Sequence, residues 1–200
     1  AQLLERELDD PQLREYTQVI IAEADRLQEL MSRLLTSHRM MQPIQLNLHD
    51  VIERVRRLIL AEFPSIEVRR DYDTSLPTVT GDREQLIQAI LNVARNAAQA
   101  MQGSGEIVMR TRAARQVTLA KRRFKLAVQL QVIDNGPGIP DDIRDRIFYP
   151  LVSGRENGSG LGLSLAQSFI EQHQGAIEVE SRPGRTCFTL FIPITRDADA

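Results

Sequence analysis

Between residues 11 and 35, apolar side chains fall at Leu13, Tyr16, Ile20, Ala24, Leu27, Met31 and Leu34. Steps of three and four gather them into one stripe of an amphipathic helix. Pro11 suits a first helical turn after the turn-like Asp9-Asp10. Residues 1–8 read as the end of a preceding helix. A helix with half a hairpin before it cannot bury such a stripe alone, and a dimeric helical bundle supplies the missing surface. The pattern breaks around residues 37–43. Asn47 then opens a helix that runs to about Phe63, where Pro64 stops it.

Residues 66–72 alternate as a short strand. Asp82 starts a further helix with Gln85 as its capping-box partner. Its apolar stripe is Leu86, Ile90, Val93, Ala97 and Met101, and Gly103-Ser104-Gly105 ends it. Strands are predicted at residues 107–109 and 124–133, the second with Leu126, Val128, Leu130 and Val132 on one face. Lys121-Arg122-Arg123 between them reads as a solvated hairpin loop. A helix-like stretch follows at 141–147, then a helix at 160–174 that Gly175 stops. Strands at 176–181 and 186–193 are joined by residues 182–185. The sum is an α+β layer, a mixed, mostly antiparallel sheet with helices on one face. The organisation expected is the end of one helix and a second helix at 1–38, a linker at 39–46, and a larger domain at 47–200.

Composition narrows the function classes. The formal net charge of −2 gives no electrostatic reason to expect nucleic acid. No apolar run approaches the ~20 residues that span a bilayer, and no secretory leader opens the chain. Cys187 is the single cysteine, which excludes an internal disulfide and a site of several thiolates. It sits in an alternating apolar run and is expected in a buried strand. These features favour the cytoplasm. The start at Ala1, without an initiator methionine and already in a helical pattern, reads as a fragment of a longer protein.

Three stretches carry candidate chemistry. Asn92 and Asn96 are i,i+4 neighbours on the helix from Asp82, so their amides share a side. Either they are solvent-facing, or the Asn96 oxygen ligates a hard cation such as Mg²⁺. Asp134 ends a strand and opens Asp134-Asn135-Gly136-Pro137-Gly138. That is good turn material, and a carboxylate there would equally suit an exocyclic amine such as that of adenine. Gly158-Ser159-Gly160-Leu161-Gly162-Leu163 runs into a helix whose amides would attract phosphate. It is neither a P-loop nor a dinucleotide fingerprint, for it lacks the Lys-Ser/Thr of the first and the preceding strand of the second.

In that order and spacing, the three stretches resemble the ATP-binding domain shared by sensor histidine kinases, gyrase, Hsp90 and MutL, the Bergerat fold. Residues 91–97 resemble its N box, 134–138 its G1 box, 148–151 its F box and 158–163 its G2 box. The resemblance implies that Asp134 accepts from adenine, with Gly136, Gly138 and Ile139 around the base and Thr186 within water-mediated reach. It implies Mg²⁺ on Asn96, with Asn92 near phosphate or metal-bound water. Gly158, Ser159, Gly160, Leu161, Gly162 and Leu163 would face the phosphates, and Phe148 and Tyr149 would anchor a lid between the two glycine loops.

Hydrolytic members of the family carry a glutamate one turn before the metal asparagine, where it activates water. Asn92 stands there, and an amide is not a base, so the pattern favours a kinase. Residues 14–20, 70–73 and 148–156 are similar to nitrogen-regulation sensor kinases of the NtrB type. Those are cytoplasmic homodimers that phosphorylate and dephosphorylate the NtrC-type response regulator under control of a PII signal protein. Two departures stand out. The H-E-x-x-N-P acceptor motif is absent, so His38, His49 and His173 read as structural or surface histidines, and the acceptor would lie upstream. Gln99 replaces a frequent basic residue, leaving phosphate charge to Arg95 or Arg155.

Overall fold

The computed structural model describes Thr17, residues 41–152, residue 154 and residues 159–194. The chain divides into two compact units, residues 1–40 with 155–159, and residues 41–154 with 160–200. The predicted helix at 11–35 and its bundle lie outside the described residues, apart from Thr17, which is helical. His38 lies outside them too.

The second unit runs β1 (Ile44–Leu46), α1 (Leu48–Glu62), β2 (Ile66–Asp71), β3 (Val79–Gly81) and α2 (Arg83–Ala100), then β4 (Gly105–Leu119) and β5 (Arg122–Asp134). It closes with α3 (Asp141–Arg144), α4 (Gly162–Gln172), β6 (Ala176–Arg182) and β7 (Arg185–Pro193). Five strands form one sheet in the order β2-β4-β5-β7-β6. β2 lies parallel to β4, and every other pairing is antiparallel. The period of two then sorts the side chains. Val128, Leu130 and Val132 of β5 and Phe188, Leu190 and Ile192 of β7 are fully buried on the face that meets the helices. Cys187, on β7, is buried as expected.

The helices cover that face because their stripes are apolar. α1 buries Val51, Ile52, Val55 and Ile59, and the Asn47 side chain caps it by accepting from the His49 amide at 2.9 Å. α2 buries Leu86, Ile90 and Val93 together with Ala89, Ala94, Ala97 and Ala98. The alanines allow α1 and α4 to pack closely against α2. Full burial of each large side chain stabilises the fold by about 1.5–3 kcal/mol.

Four details depart from the sequence expectation. Ile44–Leu46, inside the expected linker, forms a short strand paired with the equally unexpected β3. The β4–β5 turn is Ala120-Lys121, both at positive φ (46° and 66°), so Arg122 and Arg123 belong to the strand. Ala-Lys lacks the Asn-Gly signal of such a turn. At the end of α4 the left-handed residue is Gln174 (φ 58°), not Gly175. Gly175 is required by packing instead, since a Cβ there would collide with the Phe191 carbonyl. The capping box at Asp82 does not close. Asp82 Oδ1 accepts from the Glu84 and Gln85 amides at 3.0 and 3.1 Å, but the Asp82 amide donates to His173 Nε2 at 2.9 Å. The Gln85 side-chain amide is left buried with neither atom partnered.

Candidate functional site

Asp134 is the last residue of β5, opposite Thr186 of β7. It is 4% exposed. Its Oδ1 accepts from the Gly136 amide at 2.9 Å, and burial raises the carboxyl pKa above the usual carboxylate range. Among the described residues no cation pairs with it. A buried carboxylate with one amide donor is costly and retains acceptor capacity for a bound donor.

The loop after Asp134 is braced from three sides. Asn135 Oδ1 accepts from the Glu106 amide at 3.0 Å, and the Gly184 amide donates to the Gly136 carbonyl at 2.9 Å. The Ile139 amide donates to Ser181 Oγ at 2.8 Å, and that hydroxyl lies 2.9 Å from Thr186 Oγ1. Thr186 therefore serves the loop's own support. Both loop glycines have reasons within the fold. A Cβ at Gly136 would sit 2.8 Å from Asp134 Oδ1, and one at Gly138 (φ +90°) would sit 3.0 Å from the Arg182 backbone. A cleft of about 350 Å³ opens on the outer side of this loop between Pro137, Ile139, Arg144 and Pro183. Gly138 and Ile139 line it, whereas Asp134, Asn92 and Asn96 do not.

Asn92 and Asn96 are both half-buried on α2, one turn apart as the spacing predicts. Asn92 is committed at both ends of its amide. Its Oδ1 accepts from Gln88 Nε2 at 3.0 Å, and its Nδ2 donates to the Gly162 carbonyl at 3.1 Å. This asparagine ties α2 to the start of α4. The sequence alone held no signal for that tie.

α4 begins at Gly162, after the fully buried Leu161, and it carries no side-chain cap and no acid in its first turn. A helix N-terminus so built suits an anion. Leu163 is half-buried against the core. Gly160 (φ +65°) closes the segment before it. Its carbonyl accepts from the Leu151 amide at 3.1 Å, and a Cβ there would sit 2.6 Å from the Leu151 carbonyl carbon. Phe148 anchors the same segment edge-on against Phe188, ring centroids 6.4 Å apart. Tyr149 does not share that role, being 61% exposed. Arg155 and Gly158 lie outside the described residues, and Ser159 belongs to the other unit. Arg95 is paired with Glu62 at 2.8 Å, so it is not a free phosphate contact.

The remaining histidines are structural. His173 Nδ1 faces the Phe169 carbonyl at 2.7 Å while Nε2 accepts from Asp82, and burial lowers its pKa. His49 stacks on Tyr72 and reaches Thr111 Oγ1 at 3.0 Å. Among the described residues no cluster of three or more His, Cys, Asp or Glu is placed to hold a metal. Amide oxygen together with phosphate oxygens is the kind of donor set that Mg²⁺ accepts.

A buried acceptor at a strand end, a braced glycine loop and an uncapped helix start on a mixed sheet define a class, and the comparisons agree. Residues 81–196 match the family described as histidine kinase-, DNA gyrase B-, and HSP90-like ATPase, and the chain belongs to it. Over 199 residues it is 50% identical to the sensory histidine kinase/phosphatase NtrB of Vibrio alginolyticus, covering 98% of this chain and 57% of that protein. The chain thus spans little more than half the length of such relatives. Among solved structures, it is similar to the catalytic domain of histidine kinase ThkA, with 28% identity, TM-score 0.65, and 76% and 96% of the two chains covered. ThkA in complex with the response regulator TrrA gives 26% identity and TM-score 0.70, covering 97% of this chain and 55% of that one.

Proposed function

We propose that this chain is the ATP-binding catalytic part of an NtrB-type sensor histidine kinase. It transfers the ATP γ-phosphate to a histidine upstream of Ala1, and from there to a response regulator of the NtrC type that controls nitrogen-related transcription. The observation that carries the nucleotide reading is Asp134, a buried carboxylate with one amide donor and acceptor capacity left, at the end of a braced glycine loop. Adenine's amine would supply the missing donor. The amides at the start of α4 would receive phosphate, and Asn96 would hold Mg²⁺, which offsets phosphate charge when bound. Residues 1–38 would form part of the dimerisation hairpin, 39–46 a linker and 47–200 the catalytic domain. Homodimerisation, a PII-type regulator, regulator dephosphorylation and a cytoplasmic setting belong to the same reading, supported by the identity to NtrB.

The choice of kinase over ATPase rests on Asn92. It occupies the position of a general base, is not one, and has its amide engaged with Gln88 and Gly162. The test supplies a histidine-bearing first helix of the hairpin together with labelled ATP. Phosphohistidine on that helix is the expected product. Rapid phosphate release without transfer would show an ATPase, and binding without either would show a nucleotide-gated module.

A further inference from the structure

The β4–β5 hairpin outruns its sheet. β2 accompanies β4 only as far as Arg110, and β7 accompanies β5 only from Ala127. Beyond those points, apart from the Ile194 amide donating to the Leu126 carbonyl at 3.0 Å, the two strands pair among the described residues only with each other, out to the Ala120-Lys121 turn. Among the described residues, the result is a two-stranded arm with an open edge on either side.

Its charge is one-sided. From Ile107 to Ile133 the chain carries seven cationic side chains and no carboxylate, in a protein whose formal net charge is −2. Arg110 and Arg112 are spent on Asp71, and Arg122 on Gln174 and the ring of Phe124. Arg115, Lys121, Arg123 and Lys125 are exposed and, among the described residues, make no ion pair. Open edges are commonly protected by charge, lysine above all, but two of these four cations are arginines. Four free charges of one sign on one projection instead make a local field that selects an opposite surface.

We propose that this arm is a docking element for an acidic, extended segment of a protein partner, a role separate from nucleotide binding. The open edges offer main-chain pairing to an extended chain, and the cations read its carboxylates. Nucleic acid fits less well. The arm's one aromatic ring, Phe124, is already covered by Arg122, so no stacking platform is available.

The test measures binding of a short labelled peptide of alternating glutamate and valine to the whole chain. A single-stranded oligonucleotide and phosphatidylserine vesicles run in parallel. Peptide binding that weakens as salt passes about 0.15 M is expected. Arg115→Glu/Lys121→Glu/Arg123→Glu/Lys125→Glu should weaken it about tenfold or more while leaving ATP-analogue binding intact. If that variant does not fold, Lys121→Gln/Lys125→Gln gives the same direction by neutralisation alone. Absence of peptide binding, equal binding by the variants, or preferential capture of oligonucleotide or vesicles would overturn the proposal. Loss of solubility alone in the variants would assign the charges to edge protection.

Discussion

At the scale of single residues, if Asp134 receives adenine as proposed, it sets affinity and stability against each other. Burial makes its charge unfavourable, and the Gly136 amide only partly compensates. Asp134→Asn keeps an oxygen for Gly136 but turns an amine toward the adenine amine. We expect ATP affinity to fall about ten- to a hundredfold, the loss of a hydrogen bond to a charged group worth ~1.5–3 kcal/mol. The melting temperature should stay level or rise, because a buried charge is gone. Calorimetry on both proteins checks the pair of outcomes, and a fall in both would make Asp134 a structural residue. The strand end at Asp134 and the loop after it were legible because a carboxylate before two glycines is good turn material. The bond from Asn92 to the Gly162 carbonyl was not, since it joins residues 70 positions apart and leaves no local pattern. Nor could the sequence separate Phe148, which packs on Phe188, from its exposed neighbour Tyr149.

At the scale of elements, α4 is tied to the α2 segment at both its ends, by Gly162 to Asn92 and by His173 to Asp82. The His173 tie requires a neutral ring, with Nε2 bare to accept and the proton on Nδ1. Burial lowers its pKa from 6.5, so near and below that pH the folded chain binds fewer protons than the unfolded one. Stability is then full above about pH 6.5 and declines as pH falls toward the lowered folded pKa. His49, also lowered by burial, adds the same sign. Urea titrations at about pH 7.5 and about pH 5.5 should show a drop that His173→Gln reduces. An unchanged drop would place the titration elsewhere. Gln85 sits in the same first turn of α2 with its amide unpartnered, so Gln85→Met should raise stability by about 1 kcal/mol, or ~2–4 °C in Tm. A lower Tm would reveal a partner for that amide. α2 was legible from its stripe, α1 from Asn47 and Pro64 at its ends, and α4 from the glycines that bracket it. The tight Ala120-Lys121 turn and the β1–β3 pair were not, because the first lacks turn residues and the second is two runs of three.

At the scale of the molecule, one sheet face carries the core while its ends carry chemistry. The strand end at Asp134 and the start of α4 are both held to α2 or to the β6–β7 hairpin by hydrogen bonds of 2.8–3.1 Å. These bonds hold the described parts of the proposed site in place, and the proposal that ATP enters it with Mg²⁺ can be tested on the chain itself. The most direct measurement is a calorimetric titration of the chain with a non-hydrolysable ATP analogue, with and without Mg²⁺, on the parent and on Asn96→Ala. We expect binding that Mg²⁺ strengthens in the parent, with that enhancement lost in Asn96→Ala. No binding in either condition, or binding indifferent to both metal and Asn96, would contradict it.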